Sequence, residues 1–405
     1  MRDAYIVSAV RTPGCRRGKG ALAQTRPEKL IVQAMNGAIE KAGISKGEID
    51  DFMLGCAFPE AEQGLNLGRI AAQIAKFPDS VCGAVVNRFC ASGLEAIAIS
   101  SLRVMSGWSE VCMAGGLESM TTVPMGGNLP RPLPDWAKEC PDVYMSMGIT
   151  AENVANRYKI TREQQDEFAY HSQMKAADAQ KNKYYTEIIP TNADRYVEKP
   201  DGTVVRETFV QDFDDGVRAD TTMDGLKKLK PAFAATGSVT AGNSSQTTDG
   251  AAASVIMSGD ALQKYGVKPL VKIVAYTVAG CKADEMGVGP AYAIPKLLKI
   301  VGWDLGKLKT ESLLIELNEA FASQALYCSQ QLGINDKKLW TVDSAERRIN
   351  ISGGAIALGH PLGCTGSKLA ATIVANMRRK GVKYGIESMC IGGGMGAAAL
   401  FEICE

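Results

Sequence analysis

The sequence predicts an α/β protein made of two related halves with a large insertion between them. Three observations carry that prediction. Near both ends of the chain, apolar runs of strand length alternate with helical patterns, which gives a largely parallel or mixed sheet flanked by helices. The stretch from Thr121 to about Gly250 breaks the alternation, with many prolines, two polar helices and few strand signals. Short runs also recur in the first and last parts of the chain. Val111-Cys112-Met113-Ala114-Gly115-Gly116 resembles Met389-Cys390-Ile391-Gly392-Gly393-Gly394, and Leu54-Gly55-Cys56-Ala57-Phe58 resembles Leu317-Asn318-Glu319-Ala320-Phe321, at similar but unequal offsets.

In chain order, Tyr5 to Val10 reads as a strand, Pro27 to Gly43 as a helix with one apolar face, and Phe52 to Ala57 as a second strand. Ala84-Val85-Val86 leads into a turn of small residues and a helix over Ser92 to Met105, and Val111 to Gly116 follows as a buried strand. Within the insertion, a helix from Thr161 to about Lys183 opens with a capping residue and a first-turn acid. Alternation resumes at Ala251. The expected division is residues 1–120 plus 251–272 for the first half, 121–250 for the insertion and 273–405 for the second half.

Composition limits the function classes. Lys and Arg total 45 against 44 for Asp and Glu, a formal charge of +1 that argues against a broad nucleic-acid footprint or a polybasic membrane surface. The opening residues read as a strand rather than a secretory leader, and no apolar stretch approaches the 18 or so residues of a membrane span. A cytoplasmic protein is expected. Eleven cysteines, odd in number, irregularly spaced and without a Cys-x-x-Cys, point to free thiols rather than disulfides or structural zinc, and no metal site is expected. Gly at 42 of 405 residues exceeds the usual roughly 7% and points to tight turns and close backbone approaches.

Only two histidines exist to serve as a general base near neutral pH. His171 lies within a polar helix of the insertion and reads as a solvated or capping side chain. His360, inside Gly353-Gly354-Ala355-Ile356-Ala357-Leu358-Gly359-His360-Pro361-Leu362-Gly363, sits where backbone and ligand can approach closely. Cys90, in Asn87-Arg88-Phe89-Cys90-Ala91-Ser92-Gly93, falls at a sharp strand-to-helix junction that resembles a nucleophile elbow. A helix N-terminus there favours the thiolate, so its pKa is expected to fall. Cys390 opens Cys390-Ile391-Gly392-Gly393-Gly394-Met395-Gly396 near the chain end. Gly392-x-Gly394-x-x-Ala397 fits a dinucleotide fingerprint by spacing alone, but too few residues follow for the rest of the unit. Gly354 to Gly359 has phosphate-loop spacing with His360 in place of the required lysine. These glycines suit an oxyanion hole better.

Together, Asn87 to Leu94, Asn318-Glu319-Ala320-Phe321-Ala322, Gly354 to Pro361 and Cys390 to Gly396 resemble the thiolases, with further likeness at Met147 to Asn153, Lys228 to Phe233, Thr240 to Ser245 and Met286 to Pro290. The resemblance covers essentially the whole chain. It implies a layered α-β-α-β-α fold of two related halves with an inserted loop domain. It also implies an acyl transfer between 3-oxoacyl-CoA and CoA, with Cys90 as nucleophile, His360 as its base and Cys390 as the second acid/base. Asn318 and His360 would stabilise the enolate oxygen, and the N–H groups of Cys90 and Gly392 the acyl-enzyme's tetrahedral intermediate. The loop domain would hold coenzyme A, a substrate rather than a bound cofactor, through Arg218, Phe233, Ala241 and Ser245, with Met147 and Phe321 lining the acyl channel. Ser146, where the acetoacetyl-making branch usually has His, tilts the expectation to a degradative 3-ketoacyl-CoA thiolase. Acetyl-CoA acetyltransferase is the alternative within the family. An inactive, lipid-binding relative is the alternative from another class, although Cys90, His360 and Cys390 are all in place. Implied partners are acyl-CoA and CoA, a second or further copies in a homodimer or homotetramer, and the hydratase and dehydrogenase of β-oxidation.

Overall fold

In the computed structural model, which describes residues 1–404, the alternating runs pair into one ten-stranded sheet and one separate hairpin. The strands are β1 (Ala4–Arg11), β2 (Cys15–Arg16), β3 (Asp51–Gly55), β4 (Cys82–Val86), β5 (Val111–Ser119), β6 (Thr191–Glu198), β7 (Val204–Gln211), β8 (Thr248–Ser258), β9 (Val271–Gly280), β10 (Leu313–Leu317), β11 (Tyr384–Ile391) and β12 (Met395–Ile403). The large sheet runs β10-β11-β12-β9-β1-β8-β5-β3-β4, with β2 beside β8. Its halves touch only where Tyr5 meets Lys272 and Ile6 meets Val271, so it is effectively two half-sheets joined at β1 and β9.

Three apolar layers follow from the side-chain alternation. Helix Pro27–Ala42 starts with proline, whose missing N–H costs nothing in a first turn, and ends at Gly43 in the left-handed conformation (φ 69°). It buries Leu30, Ile31 and Met35 against Leu54, Met113 and Val255 on the outer face of the first half. Helices Ser92–Met105 and Leu362–Lys380 lie between the half-sheets, where Leu94, Ile97, Ile373 and Met377 join Ile6, Ile256, Met389 and Phe401. Helices Gly289–Ile300 and Ala322–Gln331 cover the outer face of the second half with Ile294, Leu297 and Ala325. The stack is therefore α-β-α-β-α, as the resemblance implies. The two central helices approach so closely that a Cβ on Gly93 would lie 2.6 Å from the backbone nitrogen of Ser367, and one on Gly366 2.2 Å from that of Leu94. Any side chain at either position pushes the half-sheets apart.

The halves share one pairing scheme. β3 runs parallel to β4 and β5, β5 antiparallel to β8, and β8 antiparallel to β1. Correspondingly, β10 runs parallel to β11, β11 antiparallel to β12, and β12 antiparallel to β9, while an isolated parallel bridge from Ile315 to Ile349 stands in for β4. Register makes the match specific. Gly55 pairs with Gly116 as Leu317 pairs with Ser388, so Cys56 corresponds to Asn318 and Glu118 to Cys390. The sequence matching of Cys112 to Cys390 is therefore out of register. Cys112 pairs with Asp51, whose counterpart Leu313 pairs with Tyr384. Glycine-rich strand ends look alike in composition, and only the ladder fixes their alignment.

In the insertion, helix Arg162–Lys181 opens with a capping box: Thr161 accepts from the Gln164 N–H, and the Gln164 side chain accepts from the Thr161 N–H. The hairpin of β6 and β7 is an addition to the sequence reading. Its strands are largely exposed and mix charged with apolar residues, which leaves little alternation to read.

Candidate active site

The turn that carries Cys90 is built by its neighbours. β4 passes through Asn87 and Arg88 into a tight turn over Phe89–Ala91 and then helix Ser92–Met105. Phe89 takes a positive φ of 43°, a strained conformation for a non-glycine residue. The side-chain oxygen of Asn87 holds it by accepting from the Phe89 N–H at 2.8 Å, while the Asn87 amide donates to the Ala57 carbonyl at 2.9 Å. The Ser92 hydroxyl accepts from the Arg88 N–H and donates to the Phe89 carbonyl. The strain thus falls on Phe89, and Cys90 is turned inward, 1% exposed. Burial pushes its thiol up to about 12, while the N–H groups of Gly392 and of Cys90 itself pull the other way. The expected fall in pKa does not occur in the free protein, because dehydrating a thiolate outweighs two backbone donors and a helix end. Cys90 rests as a thiol.

His360 follows Gly359, whose φ of 79° and whose approach to Thr248 both require glycine; a Cβ there would lie 2.2 Å from Thr248 Cγ2. The His360 N–H donates to the Gln246 carbonyl at 2.9 Å. Its ring Nδ1 lies 2.6 Å from Thr365 Oγ1, and that hydroxyl donates its own proton to the Pro361 carbonyl at 3.0 Å. Thr365 can then only accept from the ring, which places the proton on Nδ1 and leaves the Nε2 lone pair free. The Asn318 side-chain nitrogen lies 3.4 Å from Nε2, and its side-chain oxygen is buried without a partner. Burial, with the Lys368 ammonium adding to it, lowers the His360 pKa to about 3. The imidazole is held as a neutral base.

Cys390 is the last but one residue of β11, wholly buried among Met147, Ala151, Val239, Met286, Ala320 and Phe321. Burial lifts its thiol well above the ordinary range, and the neighbouring Cys90 adds to the rise. Met147 also packs against the cluster around Cys90, so one side chain spans the two thiols. The glycines after Cys390 form a tight turn between antiparallel strands β11 and β12, not a strand-to-helix turn, which disposes of the dinucleotide fingerprint.

A cleft whose enclosed part measures about 90 Å³ opens onto Cys90 and His360 and is lined by Met147, Phe233, Ser245 and Phe321. Arg218 and Ala241 are exposed and lie outside its wall; the Arg218 N–H donates to the Gln173 side chain at 2.8 Å. His171 is not a solvated side chain: it packs edge-on against Trp340, and its Nδ1 accepts from the Val342 N–H. Sequence reasoning missed Thr365, Lys368 and Glu118. Glu118 is wholly buried and accepts from the N–H groups of Ala57, Phe58 and Gly363 and from the Gln63 amide. His360 stands in a glycine-rich stretch, whereas Thr365 and Lys368, which hold it, lie on a helix whose sequence reads as ordinary core. Among the described residues, no group of three or more His, Cys, Asp or Glu side chains is placed to hold a metal ion, and no helix is long and apolar enough to cross a membrane.

Residues 4–260 match the family "Thiolase, N-terminal domain" and residues 267–403 "Thiolase, C-terminal domain". The 3-ketoacyl-CoA thiolase of Bacillus subtilis (strain 168) is 45% identical over 405 residues, covering 100% of both chains. The peroxisomal 3-ketoacyl-CoA thiolase of Homo sapiens is 41% identical over 404 residues, 99% of this chain and 91% of that protein. The crystal structure of the Bacillus anthracis acetyl-CoA acetyltransferase superposes with a TM-score of 0.87 at 36% identity, covering 100% of this chain and 99% of that one. With both family domains matched along nearly its whole length, and Cys90 and a neutral His360 opening onto one cleft, the chain belongs to the thiolase family of acyltransferases.

Proposed function

We propose that the protein is a 3-ketoacyl-CoA thiolase, an acetyl-CoA C-acyltransferase that cleaves 3-oxoacyl-CoA with CoA through an acyl-Cys90 intermediate. The observation that carries the reading is the meeting at one sulfur of two backbone donors, from Cys90 and Gly392, beside a histidine with a free Nε2 lone pair. In the forward half-reaction, His360 takes the Cys90 proton as the sulfur attacks the 3-keto carbon. The bond between carbons 2 and 3 then breaks. Cys390 protonates the departing acetyl-CoA enolate at carbon, and Asn318 and His360 donate to its oxygen. In the second half-reaction, the Cys390 thiolate takes the proton of incoming CoA, whose sulfur attacks the Cys90 thioester. Cys90 leaves and recovers its proton from His360, so the cycle closes with two half-reactions and ping-pong kinetics.

The resting state supports that sequence of events. A thiol and a neutral imidazole, both buried, store no separated charge until a carbonyl arrives to accept the developing anion. Loop domain 121–250 supplies Phe233 and Ser245 to the cleft, which supports its role as the CoA holder. Arg218 and Ala241 are assigned to the outer part of CoA, and Met147 and Phe321 to the acyl side. The eleven cysteines are all free, which supports a reducing, cytoplasmic setting, and the apolar side chains of Leu65 and Ile74 exposed beside edge strand β4 support a homo-oligomer. A degradative enzyme would work downstream of the hydratase and dehydrogenase of β-oxidation.

Intact-mass measurement after mixing with acetyl-CoA is expected to find one acetyl group, mapped to Cys90. Cys90→Ala is expected to lose the adduct and at least about 10³-fold in turnover. A folded variant that keeps turnover sinks the reading, and a wild-type protein that binds acyl-CoA without ever forming the adduct favours the inactive lipid-binding alternative. The likeness to an acetyl-CoA acetyltransferase favours the second reading within the family. Thiolysis rates across 3-oxoacyl-CoA from four to sixteen carbons separate the two, since a sharp optimum at four replaces the degradative assignment with the acetoacetyl-making one.

A further inference from the structure

We propose that Lys368 is a positioning residue for His360: its ammonium group clamps the two carbonyls that lead into the histidine, next to the buried ion pair of Arg11 and Asp214. The proposal rests on the acyl-transfer reading above. Lys368 is 3% exposed, and its Nζ donates to the carbonyls of Leu358 and Gly359 at 2.8 Å each. These are the two residues immediately before His360. One turn earlier on the same helix, Thr365 holds the ring nitrogen. Helix Leu362–Lys380 therefore grips His360 twice, once on its ring and once on the backbone that delivers it.

A lysine this deep is costly unless its charge is answered. Around it lie Arg11 from β1 and two carboxylates from the insertion, Asp214 and Glu187. Arg11 pairs with Asp214 through both terminal nitrogens, at 2.7 and 2.9 Å, and with Glu187 through Nε at 3.1 Å. Asp214 also accepts from the Gly14 N–H at 2.6 Å. Two cations and two carboxylates thus share one dry compartment, and Lys368 is the member that reaches the His360 turn. The titratable neighbours of His360 are Cys90 across the cleft, and Cys364 and Lys368 on the helix behind it. Burial lowers the Lys368 pKa to about 8, with Asp214 opposing the fall, so the ammonium form persists at neutral pH. A fixed positive charge behind an imidazole disfavours the imidazolium. It keeps His360 a base while the two carbonyl contacts keep it aimed.

Lys368→Met removes both effects. It is expected to lower kcat about 10- to 100-fold with KM for acyl-CoA nearly unchanged, as for a displaced catalytic group. The acid limb of the kcat/KM profile is expected to move to higher pH, because His360 without the neighbouring cation protonates more easily. Lys368→Arg, which keeps charge and donors, is expected to restore most of the rate and the original acid limb. A structural role alone would lower stability and leave that limb in place. Lys368→Gln, a smaller change that keeps an amide donor without the charge, is run alongside in case the Met variant does not fold. The chain holds only two histidines, so nitrogen NMR of histidine-labelled protein, assigned with His171→Asn, reads His360 without any activity. Wild type and Lys368→Arg are expected to show neutral, Nδ1-protonated His360 at pH 5.5. A wild-type His360 that titrates near its ordinary value of about 6.5, or a folded Gln or Met variant with unchanged kcat and acid limb, overturns the proposal. Failure of the acyl-transfer reading would appear instead as turnover surviving in Cys90→Ala, with the His360 resonance unaffected.

Discussion

The hydroxyl of Thr365 decides which imidazole nitrogen of His360 is available for chemistry. Its proton is committed to the Pro361 carbonyl, so it accepts from Nδ1 and frees Nε2. Thr365→Val keeps the volume and removes the acceptor. It is expected to cost about 10- to 100-fold in kcat/KM by releasing the tautomer and the ring angle, while Thr365→Ser retains most activity. Steady-state thiolysis kinetics check it, and a valine variant as fast as wild type refutes the tautomer assignment. At this scale the sequence singled out candidate reacting groups but not the side chains that hold them. Cys90, His360 and Cys390 announce themselves through glycine-rich surroundings, because a reacting atom needs backbone approach. Thr365, Lys368 and Glu118 lie within regular elements, where composition does not separate a support from core. The pKa expectation for Cys90 failed for a related reason: local motif shows a helix end, whereas burial is a property of the assembled chain.

Helix Leu362–Lys380 has no side-chain cap of its own at Pro361. Its Gly363 N–H donates instead to Glu118, at the end of β5 in the other half, at 2.7 Å. The same carboxylate accepts from the N–H groups of Ala57 and Phe58, and Ala57 in turn receives the Asn87 amide that steadies the Cys90 turn. One buried carboxylate therefore links the element bearing Cys90 to the element bearing His360. Glu118→Gln loses an acceptor where several N–H groups converge, and is expected to destabilise by about 1–3 kcal/mol, read as a lower urea midpoint. An unchanged midpoint would mean that another group satisfies those donors. Element boundaries were legible wherever caps marked them, as at Pro27 and Gly43 or at Thr161. The β6–β7 hairpin was not, since it is buried only near its base, at Thr191, Ala193, Asp194 and Gln211, which is too little to impose alternation along its strands.

Across the whole molecule, the layered α/β class was readable, because buried layers force periodic apolar runs. The register relating the halves was not, because it is set by ladder hydrogen bonds rather than by composition. The large sheet ends at β4 with an edge strand, beside which Leu65 and Ile74 expose apolar side chains. Sedimentation velocity is expected to find a dimer or larger assembly, and Ile74→Glu is expected to shift it toward monomer. A wild-type protein that sediments as a monomer at micromolar concentration refutes the assignment of that face.

The shared pairing scheme carries a consequence for how such a catalyst can arise. Where one half carries Cys56 and Glu118, the other carries Asn318 and Cys390, and each half sends one central helix to the seam, with Cys90 before the first and His360 before the second. A duplicated gene would have begun with two identical corners facing one another, unable to give and take a proton at once. In the present chain the two corners differ, and Cys90 and His360 reach the seam from opposite sides, so neither half severed from the other retains the whole set of side chains.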